Sequence, residues 1–182
     1  MNFLHNGLIA QLSPADQALL LRKAKIIHFS VGETLGGADL KSSQIYFITR
    51  GCVALFVCKK SNDVSSGLAV GLVGSEGALG LQMALGIGQG NLTLIAQSSG
   101  SAYAVDSGVA TQIVRRKSAL LLTFAKYMWI QLENVAELAA MSHTQEIRIR
   151  LAHWLLLSAH RFKPDQLILT HTQIAQMLGV RR

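Results

Sequence analysis

Few residues in this chain have types and spacings that invite chemistry. The candidate nucleophiles and metal ligands are six histidines and two cysteines. Cys52 and Cys58 are six residues apart, which on one strand means roughly 20 Å at about 3.3 Å per residue. That distance excludes a bridge between them and a shared metal, so they read as packed or half-exposed thiols of a reducing cytoplasm. No two histidines fall within one strand-like run, and residues 29–142 contain none. The closely spaced H-x-H ligands of metal-binding β-barrel enzymes are therefore missing. No Ser/His/Asp or Cys/His arrangement stands out. The glycine-rich stretch from Gly80 to Gly90 has no lysine and no strand-to-helix phosphate loop. The chain reads as a non-enzyme with no catalytic residues, no metal and no cofactor.

The most specific signal lies at the other end, in Leu169 to Arg182. Thr170 and Gln173 form a T-x-x-Q capping box, in which each side chain satisfies an orphan backbone N–H at a helix start. Ile174, Ala175 and Leu178 give one apolar face, and Gly179 stands where a left-handed turn is easiest for a residue without Cβ. A helix, a glycine turn and then Val180-Arg181-Arg182 is the first half of a helix-turn-helix. A plain capped helix ends the same way, so the charge distribution matters. The net charge is +7, with seven Lys/Arg against six Asp/Glu over residues 1–106 and ten against four over residues 107–182. A neutral first part followed by a basic second part points to a polyanion partner for the second.

The elements that must position this motif follow from periodicity. The chain has 182 residues, of which 50% are hydrophobic and 15% charged, enough for one ordinary core plus a smaller module. Its start, MNFLHNGLIAQLSPADQ, has no basic segment leading into an apolar run and reads as no signal peptide. The apolar stretch Leu68 to Gly90 is interrupted repeatedly by glycine and by Glu76, which favours β-turns over a membrane span. Ser13-Pro14-Ala15-Asp16 opens a helix running to about Lys23. Lys25 to Phe29 is strand-like, and Val31-Gly32-Glu33 turns it back. From Ile45 to Asp106 the runs IYFI, VALFV, LAVGLV, LTLIA and SAYAV alternate with Gly, Ser and Asn clusters, and residues 61–67 connect a hairpin. This predicts a roll or sandwich.

After Gly108 the period becomes helical. Leu121, Ala125, Met128, Leu132, Val135, Ala139 and Ser142 alternate steps of four and three, a heptad seam. Leu120, Leu122, Phe124, Trp129, Ile130 and Leu138 supply a second apolar face. The economical expectation is one face on the β-domain and the other on a twin helix. A further helix, Gln145 to Arg161, is broken by Phe162-Lys163-Pro164-Asp165-Gln166.

In this order, Gly32-Glu33-Thr34-Leu35, Ile45-Tyr46-Phe47-Ile48 with Gly51, Arg148-Ile149-Arg150-Leu151-Ala152 and Ile174 to Arg182 resemble the catabolite-activator/FNR (Crp/Fnr) family of transcription regulators. The resemblance covers essentially the whole chain. It implies an α+β fold: a double-stranded β-helix (jelly-roll, cyclic-nucleotide-binding-like) sensor over residues 1–117, a central dimerisation helix over 118–143, and the start of a winged helix-turn-helix over 144–182. It also implies a cytoplasmic homodimer that binds double-stranded DNA. Arg182 stands where relatives place a base-contacting Arg, and a guanidinium suits guanine O6 and N7. Arg181 fits phosphate, and Thr170, Thr172 and Gln173 complete the expected DNA-facing set. The sequence stops inside the motif, so this chain as given is expected to bind DNA weakly or not at all, with DNA binding belonging to the full-length protein.

Relatives that bind cyclic AMP carry a Gly-Glu pair for the ribose and, about ten residues on, Arg-Ser for the phosphate. The corresponding positions here are Gly80, Leu81 and Gln82, then Asn91 and Leu92. Glu133 and Asn134 correspond to base-reaching residues of the central helix. No Lys or Arg occurs from residue 61 to 114, and a buried phosphodiester without a cationic partner is costly. Cyclic AMP is therefore not expected as the ligand. The interior around Leu79, Leu81, Met83 and Leu85 either holds an unknown small apolar effector or is packed shut. A stand-alone cyclic-nucleotide-binding-like interaction domain without a DNA role remains the alternative.

Overall fold

A computed structural model describes residues 5–36, 43–58, 67–88, 90–161 and 169–180. Two short helices, α1 (Gly7–Ala10) and α2 (Pro14–Leu21), lead into eight strands: β1 (Lys25–Phe29), β2 (Thr34–Gly36), β3 (Gln44–Arg50), β4 (Val53–Val57), β5 (Leu68–Val73), β6 (Ala78–Leu79), β7 (Leu92–Ala96) and β8 (Gly100–Asp106). A 3-10 helix, Leu81–Leu85, separates β6 from β7. Four helices follow: α3 (Ser107–Arg116), α4 (Ser118–Thr144), α5 (Ile147–Arg161) and α6 (His171–Leu178).

The strands form two four-stranded sheets, ordered β1-β8-β3-β6 and β2-β7-β4-β5, with every pairing antiparallel. The central strands β3, β8 and β4 are covered on both faces, which explains why they read as apolar runs rather than as alternation, whereas the edge strand β1 is largely exposed. Along β3, Tyr46 and Ile48 enter the core between the sheets, with Val53, Val73, Leu79 and Ala104. Ile45 and Phe47 point the other way, into a layer formed with Leu8, Val105, Leu120 and Phe124 from the helices and β8. Along β4 the partition repeats: Val53 faces inward, while Ala54 and Phe56 join Trp154, Met177 and Leu178 of α5 and α6. The expected hairpin shows as the β4–β5 pairing, with Val57 opposite Leu68; most of its connection lies outside the described residues.

Local chemistry sets the helix starts. Ser13 accepts the Asp16 N–H, and Pro14 stands at the first helical position of α2. Asp106 accepts the Val109 N–H to open α3.

One packing expectation is corrected. Leu120 and Phe124 are fully buried against the roll, but Leu122, Trp129 and Ile130 are 56%, 61% and 52% exposed. At about 100° per residue, these three lie across the helix from Phe124. The side of α4 that meets the roll is instead continued by Tyr127, which is buried with Leu120 and Phe124.

Candidate functional site

Two regions bring the sequence-predicted residues together: a cavity inside the roll and the capped helix α6. The cavity has a volume of about 410 Å³ and lies between the two sheets, with α4 forming one wall. Leu79, Leu81 and Met83 line it, whereas Leu85 does not. The interior is thus open, not packed shut. Gly80 takes φ +79° at the start of the 3-10 helix. A Cβ there would press on Met83 Cε and the Gln44 carbonyl, so both backbone conformation and space call for glycine.

Of the residues matched to the cyclic-nucleotide cassette, Gly80, Leu81, Gln82 and Leu92 belong to the wall. Asn91 is exposed and lies outside it. Glu133 and Asn134 are also outside the wall, and the exposed Glu133 carboxylate accepts a 2.8 Å hydrogen bond from Trp129 Nε1. The helical wall comes instead from Tyr127, Met128, Gln131, Leu132 and Val135. The Tyr127 hydroxyl accepts the Ala78 backbone N–H at 3.1 Å, and burial pushes its pKa well above the usual phenol range. Tyr46, also in the wall, donates its hydroxyl to the Leu35 carbonyl at 3.0 Å. No described wall residue carries a charge.

Sequence reasoning missed Tyr127 and Gln131. The available signal was their spacing: with Phe124 they sit three and four residues apart on one helical face. Three seam residues, Met128, Leu132 and Val135, turn out to line the cavity. Leu121, Ala125, Ala139 and Ser142 are exposed, and the Ser142 hydroxyl donates to the Ala139 carbonyl at 2.7 Å.

At the other region the capping box is formed in both directions. Thr170 Oγ1 accepts the Gln173 N–H at 3.2 Å, and Gln173 Oε1 accepts the Thr170 N–H at 2.8 Å. Gly179 closes α6 in the left-handed conformation, φ +64°. The Arg150 guanidinium donates to the Leu178 carbonyl, tying α5 to the end of α6. Thr170 and Thr172 are exposed, whereas Gln173 Nε2 reaches the roll and donates to Gln97 Oε1 at 3.3 Å. Arg181 and Arg182 lie outside the described residues. A second tie joins α5 to the roll, a 2.7 Å ion pair from Arg161 Nε to Glu76 Oε1.

No group of three or more His, Cys, Asp or Glu among the described residues is placed to hold a metal ion. No helix among them is long and apolar enough to cross a membrane.

No protein-family model and no curated protein matches the sequence. Solved structures do match its fold. A protein described as a transcriptional regulator of the Crp/Fnr family from Eubacterium rectale is similar at a TM-score of 0.76 and 15% identity, over 96% of this chain and 80% of that one. FixK2 from Bradyrhizobium japonicum is similar at 0.72 and 14%, over 86% and 78%. CLP from Xanthomonas campestris, described as a c-di-GMP-responsive global regulator, is similar at 0.70 and 11%, over 93% and 86%. The fold is that of the Crp/Fnr regulators: an α+β arrangement with antiparallel strands in two sheets, a cyclic-nucleotide-binding-type domain, and helices.

Proposed function

We propose that this protein is a cytoplasmic DNA-binding transcription regulator of the Crp/Fnr type, acting as a homodimer and sensing an effector other than cyclic AMP through its roll. The observation that carries this reading is the series of roll, 27-residue helix and capped α6 ending at Gly179 in the left-handed turn conformation. Arg182 is assigned to base edges and Arg181 to phosphate, and Thr170, Thr172 and Gln173 are assigned to the same DNA-binding set. Gln173 is held by Gln97 in this structure, so DNA binding requires that contact to be exchanged. The mechanism is a population shift, in which an effector on the roll changes how two α4 helices pair and so re-aims two recognition helices. Half-sites are then expected about 34 Å, one DNA turn, apart.

Selection from random duplex DNA, using the full-length protein purified from its host, tests the reading. Enrichment of a two-fold symmetric site with that spacing supports it; no enrichment at low salt counts against it and favours a stand-alone interaction domain. A fluorescent cyclic AMP titration is expected to show no saturable micromolar binding, because a buried cyclic phosphate here meets no cationic partner among the described wall residues.

A further inference from the structure

We infer that the roll cavity is a binding site for a neutral, largely apolar organic molecule carrying one hydrogen-bonding group, held directly against α4. This deepens the proposed sensor by naming the chemical class it reads. The volume of about 410 Å³ falls in the range of small-molecule sites, ~300–1,000 Å³. The wall is made of aliphatic and glycine residues such as Leu55, Gly71, Leu79 and Leu94, which favour an apolar body by the area they would remove from water. A charged ligand is disfavoured for the complementary reason. The described wall has no ionic partner, and an unpaired ion loses its hydration without compensation.

The wall is not wholly apolar, and it carries side chains able to hydrogen-bond a ligand. The half-buried Gln82 and Gln131 line this cavity, and their side-chain amides have no hydrogen bonds to other described residues. The buried Tyr127 hydroxyl accepts from Ala78, and its own proton has no acceptor among the described residues. A carbonyl or hydroxyl on the ligand would satisfy these donors.

Two of the three groups, Tyr127 and Gln131, lie on α4, so occupancy would act on the helix whose far side carries the exposed Leu122, Ala125 and Trp129. The two roles use adjoining sides of the same helix and meet at Leu132, which lines the cavity and is also exposed. A second copy can therefore cover one side without filling the cavity.

The test is a titration of the full chain with N-phenyl-1-naphthylamine, a neutral apolar fluorophore. Saturable enhancement at one probe per chain is expected. Leu94→Trp, which fills the cavity, should weaken binding at least tenfold with the circular dichroism spectrum retained. Should that variant fail to fold, Gln131→Glu serves instead: it places a carboxylate on the half-exposed helical wall and should weaken the probe at neutral pH, with recovery as the acid is protonated. Cyclic AMP and the anionic 8-anilinonaphthalene-1-sulfonate should not displace the probe. Absence of saturable binding, indifference to both substitutions, or displacement by either anion overturns the inference. Failure here alongside a positive DNA selection removes only the ligand class; a negative selection with probe binding intact removes the regulator reading and leaves the site.

Discussion

Tyr127 links the roll to its long helix through a single atom, since its hydroxyl accepts the buried Ala78 N–H. Tyr127→Phe leaves that donor unsatisfied, and we expect a loss of about 1–3 kcal/mol in urea unfolding with the fold retained. Gly77 lies so close to the same hydroxyl that any Cβ would overlap it, so Gly77 is required by space alone, without a positive φ. Asp16 carries a pH signature. The Ser13 hydroxyl, and then Lys117, hold its carboxyl below the usual carboxylate range. A lowered folded-state pKa means the contribution is complete above the ordinary carboxylate value and is lost as pH falls through the lowered one. Asp16→Asn should therefore remove part of the acid limb of a stability-against-pH curve, leaving the slope above pH 6 unchanged. Neither Tyr127 nor Gly77 was legible in the sequence as a paired contact, because 50 residues separate them and only the tertiary fold joins them.

At the scale of elements, the long strands were legible and the short ones were not. The runs IYFI and VALFV announce themselves because both sheet faces are covered, whereas β2 and β6, of three and two residues, are too short to show any period. The heptad on α4 was read from the same residues that the structure divides between two roles. At about 100° per residue, Met128 and Val135 lie within about 40° of Phe124 and so face the cavity, while Leu132, about 80° away, stands at the rim, lining the cavity and exposed at once. The stripe left exposed is Leu122, Ala125, Trp129, Leu132, Ala136 and Ala139. It shares Ala125, Leu132 and Ala139 with the expected seam, and we propose it as the register in which two copies meet.

The docking of α5 and α6 onto the outer face of the second sheet was not legible at all, since apolar spacing on a helix does not name its partner. Trp154, Met177 and Leu178 bury their side chains there with Ala54, Phe56 and Leu72, and Arg161–Glu76 adds a partly exposed ion pair. Such pairs contribute little. Arg161→Ala should therefore accelerate hydrogen exchange of α6 amides by no more than about fivefold, as apolar packing supplies most of the attachment. A much larger acceleration would mean that the ion pair, not the packing, holds the helices to the roll.

Across the whole molecule, the order of elements was the most legible feature, because each change of period from helix to strand and back is local. What the roll senses was less so: the sequence showed which cationic residues were missing, but the cavity wall is assembled from β2 to α4 and only the fold closes it. The account as a whole depends on α4 joining two copies, since two-fold symmetric DNA is read by a two-fold symmetric protein. Sedimentation equilibrium on the purified chain at micromolar concentration measures this directly. The account predicts a mass of twice 19.7 kDa, falling to a single chain in Trp129→Glu with circular dichroism unchanged. A single-chain mass for the unaltered protein, or a dimer indifferent to that substitution, would contradict it.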